Sequence, residues 1–174
     1  VKLKKQGSII KSILKVYEIY QNKIKDLNAF DFGDLILFCV KLFEEHKDIR
    51  EIYQKNFKYI LVDEFQDTNF IQNKWLNLLV DESENICCVG DDDQSIYSWR
   101  GAEIKNFLTF DKIYKRCKVF KLEQNYRSTK NILETASNLI SNNSNRVGKK
   151  LWSSANQGEL VKLNCYRTGK EEAQ

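Results

Sequence analysis

Two adjacent carboxylates, Asp63 and Glu64, follow directly after a short apolar run at residues 59–62. Such a run is typical of a buried strand in a parallel sheet, and open α/β folds bind ligands where these strands end. There, one carboxylate can hold Mg²⁺ and the other can act as a general base toward an attacking water. A strand that runs into a solvated turn has the same pattern, and for the acid pair alone this plainer interpretation is favoured.

An acidic turn at residues 91–93 follows the next apolar run and leads into Gln94. The Gln94 amide can donate to a phosphate oxygen or orient a water. Tyr97, Trp99 and Arg100 come next, and aromatic side chains in a polar loop can stack on unpaired bases. The alternative is that the two aromatics begin a helix in the core, but an acidic turn just upstream makes burial less natural.

A third polar segment, containing Tyr126 and Arg127, follows the apolar run at residues 118–122. Arg127 can reach a transferring phosphoryl group as an arginine finger, and Tyr126 can stack on a nucleotide base. The alternative is an arginine at a helix N-terminus with Ser128 as the cap. A cation there opposes the helix dipole, which disfavours a purely structural role.

The elements that must position these segments can be predicted from hydrophobic periodicity. Strands alternate with helices after about residue 55, and the first 50 or so residues are helical. This order favours an α/β fold with a parallel sheet flanked by helices and preceded by a helical segment. The predicted strands are 59–62, 86–89, 118–122 and 160–166. The predicted helices are 8–27, 32–46 with Asp31 as its N-cap, a short helix that ends at 55, a helix whose cap lies within 67–69, a helix near 103–110, and 128–140.

The composition is that of a folded protein, with 42% hydrophobic and 30% charged residues among 174. No apolar run is long enough to span a bilayer. The basic start at residues 1–5 lacks the apolar core of a signal peptide. Five cysteines without a CxxC pair predict buried thiols in a reducing compartment, rather than a zinc site or a disulfide framework. Met is absent and the chain ends abruptly, so we expect a piece of a longer protein.

The net charge of +4 conceals an asymmetry. Residues 63–103 hold ten acids and two bases, a balance of −8, which leaves 26 bases and 14 acids, or +12, for the remainder. The acidic centre suggests a metal site or a solvated turn, and the basic flanks suggest a polyanionic partner.

Taken together, the three polar segments resemble motifs II, III and IV of the superfamily 1 UvrD/PcrA/Rep-like ATP-dependent DNA helicases. Residues 28–35 look like the family's segment that leads back into its first RecA-like domain. The resemblance covers nearly the whole chain. The matching segments are Asp63-Glu64-Phe65-Gln66-Asp67-Thr68-Asn69, residues 89–102 from Val89-Gly90-Asp91-Asp92-Asp93-Gln94 to Arg100-Gly101-Ala102, and Gln124-Asn125-Tyr126-Arg127-Ser128.

The resemblance implies an ATP site with Mg²⁺. In it Asp63 would be the Mg²⁺-associated carboxylate and Glu64 the catalytic base. Gln94 would contact the γ-phosphate and couple it to DNA. Tyr126 would stack on adenine, and Arg127 would be the arginine finger from the second RecA-like domain.

The resemblance also implies a surface for single-stranded DNA. Phe32 would line a base pocket, and Tyr97 and Trp99 would contact or stack on bases. Arg100 would bridge the DNA and nucleotide sites. The expected partners are single-stranded DNA, junctions of single- and double-stranded DNA, and repair proteins.

The domain organisation implied by the resemblance is part of a P-loop NTPase helicase core. Residues 1–27 would end a helical insertion, 28–120 would belong to the first RecA-like domain, and 121–174 would begin the second. The phosphate-binding GxxxxGK[ST] loop does not occur in the sequence. We therefore expect the chain alone to be inactive. The intact protein would be a cytoplasmic 3′→5′ helicase or translocase in repair or replication.

Three other hypotheses remain open from the sequence. The chain fits the helicase subunit of a helicase–nuclease complex, which shares these motifs. It also fits a degenerate, non-catalytic DNA-binding remnant, although Asp63, Glu64, Gln94 and Arg127 are all present. A metal nuclease built on the acidic centre is the third, and it leaves Gln94 and Arg127 unexplained.

Overall fold

The first part of the chain is helical, as predicted. The computed structural model describes residues 7–144 and 146–174. Residues 1–6, which contain the basic start and the first part of the predicted insertion segment, lie outside the described residues, as does residue 145. The three helices are α1 (Ser8–Asp26), α2 (Phe32–Glu45) and α3 (Lys47–Asn56).

The start of α2 is fixed by a capping box, which confirms Asp31 as the N-cap. The Asp31 carboxylate accepts a hydrogen bond from Asp34 N at 2.8 Å, and the Asp34 side chain accepts one from Asp31 N. Tyr20 of α1 donates its hydroxyl to Asp31 at 3.0 Å. The Asp34 amide and then the Tyr20 hydroxyl lower the pKa of Asp31. This junction positions Phe32 at the first turn of α2.

Two of the predicted strands form a parallel pair. β1 (Ile60–Val62) lies beside β2 (Ile86–Cys88) with Leu61 opposite Cys87. The crossover between them contains α4 (Phe70–Leu79), which begins at an Asn69 cap. Because the two strands are parallel, the residues that follow each of them lie at the same edge of the sheet.

The expectation that β1 is covered on both faces is wrong. Leu61 is 79% exposed and its neighbour Cys87 is also exposed, whereas Ile60 and Val62 are half-buried. Side chains alternate between the two faces of a strand, so helices cover one face of this sheet only. The half-buried Cys88 thiol lies on the covered face, where burial raises its pKa to about 12.

The predicted third and fourth strands, 118–122 and 160–166, are not strands in this structure. Within the described residues neither segment has a ladder partner, and Phe120 and Leu163 are exposed. Their apolar pattern favours a sheet, but a strand forms only where a neighbouring backbone supplies hydrogen bonds. In the part of the chain that the structure describes, the sheet therefore has two strands.

The remaining helices are short. The predicted helix near residues 103–110 is divided at Thr109. In the helix after Arg127, Thr129 and not Ser128 occupies the N-cap position, and its side chain makes no capping hydrogen bond. No helix within residues 7–144 and 146–174 combines the length and the apolar character that crossing a bilayer requires. The last four helices are α5 (Ile104–Leu108), α6 (Phe110–Ile113), α7 (Lys130–Ile140) and α8 (Gly169–Glu172).

The core lies where α2 and α4 pack together and beneath the covered face of the sheet. Val40 and Phe43 of α2 are buried, as are Leu76 and Leu79 of α4. Phe65, in the loop after β1, is also buried and makes an edge-to-face contact with a ring of α6, with centroids 5.5 Å apart. The loop that carries Asp63 and Glu64 is thereby anchored to the core.

The cysteines do not follow the prediction of burial. All five carry free thiols, but Cys39, Cys87 and Cys165 are exposed. The apolar runs around them suggested burial, yet the helix face and the sheet face that hold Cys39 and Cys87 are uncovered in this structure.

Gly90 lies two residues after β2, at a place where the backbone approaches other groups closely. A Cβ atom at this position would lie 2.6 Å from Gln66 Oε1 and 2.9 Å from the Phe107 ring. Real Cβ atoms do not make contacts this short, so only glycine fits without movement. The close approach brings the loop after β2 against the loop after β1.

We expect Gly90→Ala to lower the free energy of unfolding by about 1–3 kcal/mol, because the added methyl group overpacks the contact with Gln66 and Phe107. Urea unfolding of the 174-residue chain measures this change. Gly169→Ala is the matched control, since a Cβ there meets nothing within 4 Å. A Gly90→Ala variant as stable as the control would contradict the close packing.

Candidate functional site

The two carboxylates predicted as functional lie at the carboxyl end of β1, and both are exposed. Glu64 adopts the left-handed conformation, with φ 50° and ψ 40°, which a residue with a Cβ rarely adopts. Its backbone N–H donates to Asp63 Oδ1 at 2.9 Å, and its carbonyl accepts from Asp67 N at 2.9 Å. The backbone therefore turns sharply at Glu64, directly after Asp63.

Gln66 connects this turn to the end of β2. Its side chain is only 1% exposed, and its amide Nε2 donates to Glu64 Oε2 at 2.7 Å. The other end of the same amide, Oε1, accepts a hydrogen bond from Asp91 N at 3.0 Å. One buried amide therefore spans the two strand-end loops. Gln66 lies within the first of the matching segments, but the resemblance implied no role for it.

Asp91 is a junction of several contacts. Its carboxylate accepts from Gln94 Nε2 at 2.7 Å and from Asp93 N at 3.0 Å, and it pairs with the Lys149 ammonium. Partial burial opposes ionisation, but the hydrogen bonds from Lys149 and Gln94 outweigh it and lower the pKa of Asp91. A continuous set of hydrogen bonds thus runs from Glu64 through Gln66 and Asp91 to Gln94.

The rest of the acidic turn also faces basic partners. Arg146 makes a forked contact with Asp93, at 2.8 Å from Nε and 2.6 Å from the terminal nitrogen, and both side chains are largely buried. Val147 N donates to Asp92 at 2.6 Å. Oxygen atoms of the three acids lie within 4.8 Å of one another, but cations or N–H donors already engage each carboxylate. This argues against the metal nuclease hypothesis, and no sequence signal had singled out Arg146 or Lys149.

Tyr97, Trp99 and Arg100 form an exposed cluster. The ring centroids of Tyr97 and Trp99 are 6.4 Å apart. The Arg100 guanidinium lies 4.6 Å from the Trp99 centroid and 5.4 Å from that of Tyr97. Trp99 is 73% exposed, so the alternative of a core aromatic is wrong for this residue. The described side-chain contacts of Arg100 are with these two rings.

Phe32, Tyr126 and Arg127 are not brought together with the strand-end loops. Phe32 is 93% exposed and Tyr126 is 82% exposed. The Tyr126 hydroxyl donates to Gln124 at 2.8 Å, and the Arg127 backbone N–H donates to Asn125 Oδ1 at 3.1 Å. The Arg127 side chain is exposed, and within the described residues no hydrogen bond or ion pair joins it to Glu64.

An open groove of about 880 Å³ lies between the acidic turn and α7. Asp91 and Gln94 line one side, and Asn125 and Ser128 line another. The groove brings the second and third predicted segments together, although neither Glu64 nor Arg127 lines it. Polar side chains from both segments therefore face one space.

Comparison with known proteins gives the same assignment along the whole chain. The family described as the UvrD/REP helicase N-terminal domain matches residues 2–115, and the UvrD-like helicase C-terminal domain matches residues 120–174. These two matches account for nearly every residue.

Curated relatives agree with the family matches. A probable DNA helicase II homolog of Rickettsia conorii is 51% identical over 158 residues, which is 91% of this chain and 24% of that protein. The ATP-dependent DNA helicase PcrA of Bacillus subtilis is 48% identical over 156 residues, 90% of this chain and 21% of that protein. The chain thus spans about a quarter of the length of its relatives. It belongs to the UvrD/Rep helicase family.

Proposed function

We propose that this chain is part of an ATP-dependent DNA helicase that couples ATP hydrolysis to 3′→5′ movement on single-stranded DNA. The observation that carries the proposal is the position of Asp63 and Glu64 at the carboxyl end of a parallel strand, with hydrogen bonds leading on to Gln94. The names of the relatives, DNA helicase II and ATP-dependent DNA helicase PcrA, support the same activity.

The nucleotide chemistry follows from the exposed groups at the strand ends. Glu64 takes a proton from the attacking water, and Gln94 contacts the γ-phosphate. Arg127 stabilises the charge that develops on the phosphoryl oxygens, and Tyr126 stacks on the adenine. Glu64 and Arg127 share no contact in this structure, so the site is completed only when nucleotide binding draws their segments together.

The donor chemistry of Asp63 fits Mg²⁺. Its carboxylate is exposed, and one of its oxygens accepts the hydrogen bond from Glu64 N described above. Hard carboxylate oxygens are the usual protein ligands of this ion, and the ion would supply charge neutralisation for the phosphate groups. Asp63 would hold the ion directly or through water.

The exposed aromatic cluster is proposed as the contact for DNA bases. Every base has a π-face, so Tyr97 and Trp99 can stack on any sequence, and the Arg100 cation adds attraction to the phosphates. Phe32 would line a separate base pocket. Single-stranded DNA and its junctions with duplex DNA are the proposed substrates, with repair proteins as partners in the cytoplasm.

The domain organisation is part of the proposal. Residues 1–27 end a helical insertion, 28–120 belong to a first RecA-like domain, and 121–174 begin a second one. On this division the ion pairs of Arg146 and Lys149 with the acidic turn cross between the domains. Phosphate binding by a GxxxxGK[ST] loop is assigned to a part of the protein other than this chain, which is why the 174 residues alone are expected to be inactive.

Glu64→Gln tests the proposed general base in the intact helicase that contains this chain. The amide keeps the shape of the side chain and loses its basicity, so DNA-stimulated ATP hydrolysis should fall by about 100-fold or more. Binding of a fluorescent ATP analogue should be retained. Glu159→Gln, at an exposed glutamate outside the site, is the control. Hydrolysis by Glu64→Gln at the rate of that control would disprove the assignment.

Trp99→Ala tests the proposed DNA contact. Loss of one stacking side chain should weaken binding of fluorescent single-stranded DNA by about 1–3 kcal/mol, measured by anisotropy titration. Trp99→Phe keeps an aromatic face and should retain most of the affinity. Circular dichroism should show no change in fold, since the side chain is 73% exposed. Unchanged DNA affinity in Trp99→Ala would remove Trp99 from the interface.

A further inference from the structure

We propose that Gln66 is a positioning residue that holds Glu64 in the geometry needed for water activation. This inference rests on the proposed function of Glu64 as general base. It adds a residue that touches neither water nor nucleotide and acts through the carboxylate of its neighbour.

The first argument is that the Gln66 side chain has a single available position. It is 1% exposed, and each end of its amide has a partner, Glu64 Oε2 at 2.7 Å and Asp91 N at 3.0 Å. The absence of a Cβ at Gly90 leaves the space that Oε1 occupies, since an added methyl group would lie 2.6 Å away. Amide orientation is also fixed, because Asp91 N can only donate and the Glu64 carboxylate can only accept.

The second argument is that Glu64 needs such support. An exposed glutamate has three rotatable side-chain bonds, and its backbone here is in the left-handed region. Left alone, the carboxylate would sample several rotamers, few of which point toward an attacking water. A hydrogen bond from a rigid, buried donor selects one orientation and leaves the second carboxylate oxygen to accept the proton.

The third argument is that Gln66 contacts the loop after β2 as well as the loop after β1. Its Oε1 holds the Asp91 amide, and the Asp91 carboxylate in turn accepts from Gln94 Nε2 at 2.7 Å. A change at Gln94 on nucleotide binding is therefore transmitted to the orientation of Glu64 through two side chains. Gln66 is the buried member of that connection.

The test is turnover of the intact helicase with Gln66→Met, which keeps the volume and removes both hydrogen bonds. We expect kcat to fall by about 10- to 100-fold, the loss that follows a displacement of a catalytic group by about 1 Å. Affinity for a fluorescent ATP analogue should change by less than about threefold, because Gln66 acts on the base and not on the ligand. Gln72→Met, at an exposed glutamine in the α4 capping box, is the matched control.

The decisive experiment places Gln66→Met in the Glu64→Gln background and measures single-turnover hydrolysis of radiolabelled ATP. If Gln66 acts through the Glu64 carboxylate, Gln66→Met has no further effect there. The same fold-loss in both backgrounds would overturn the proposal, as would normal turnover in Gln66→Met. Should Gln66→Met fail to fold, Gln66→Glu replaces it, since its carboxylate still accepts from Asp91 N but opposes Glu64. Unfolding of both variants would assign Gln66 to the fold alone and also overturn the proposal.

The two proposals fail in different ways. If Glu64→Gln hydrolyses ATP normally, the general base is elsewhere and the proposed function fails. If Glu64→Gln is inactive and Gln66→Met turns over normally, the proposed function stands and only the role of Gln66 is rejected.

Discussion

One buried amide, the side chain of Gln66, joins the loops that follow the two parallel strands. The strands are short, three residues each, and their pairing alone fixes little of what comes after them. The amide adds a bond to each loop, and Gly90 provides the space in which it lies. Because the site is built from residues after both strands, its geometry depends on this bridge.

Ion pairs extend the bridge toward the end of the chain. Lys149 pairs with Asp91 and Arg146 pairs with Asp93, so one short segment of the chain, residues 146–149, holds the acidic turn. A forked arginine–carboxylate contact that is largely buried is stronger and more directional than a surface pair. If the proposed domain division holds, the same contacts restrain the cleft in which Arg127 must approach Glu64.

Features that depend on local chemistry could be predicted from the sequence, and those that depend on distant residues could not. The cap at Asp31 is predicted because aspartate is a preferred N-cap residue before an apolar helical pattern, and both strands that formed follow directly from apolar runs. Residues 118–122 have the same pattern, but a strand also needs a partner backbone. The pairing of Arg146 with Asp93 spans more than fifty residues, and no local signal reports it. The family resemblance implies roles for Asp63, Glu64 and Arg127 but none for Gln66, although Gln66 lies within the first matching segment.

The central claim is that hydrolysis needs groups from two separate segments, the carboxylates after β1 and the arginine after residue 120. DNA-stimulated ATPase kinetics of the intact helicase with Arg127→Ala, with nucleotide binding followed separately, tests it most directly. The account predicts that turnover falls by about 1000-fold, near the low end for arginine fingers, while nucleotide affinity changes much less. Arg127→Lys should recover only part of the loss, since an ammonium lacks the planar fork. Equal losses of affinity and turnover, or no loss of either, would contradict the account.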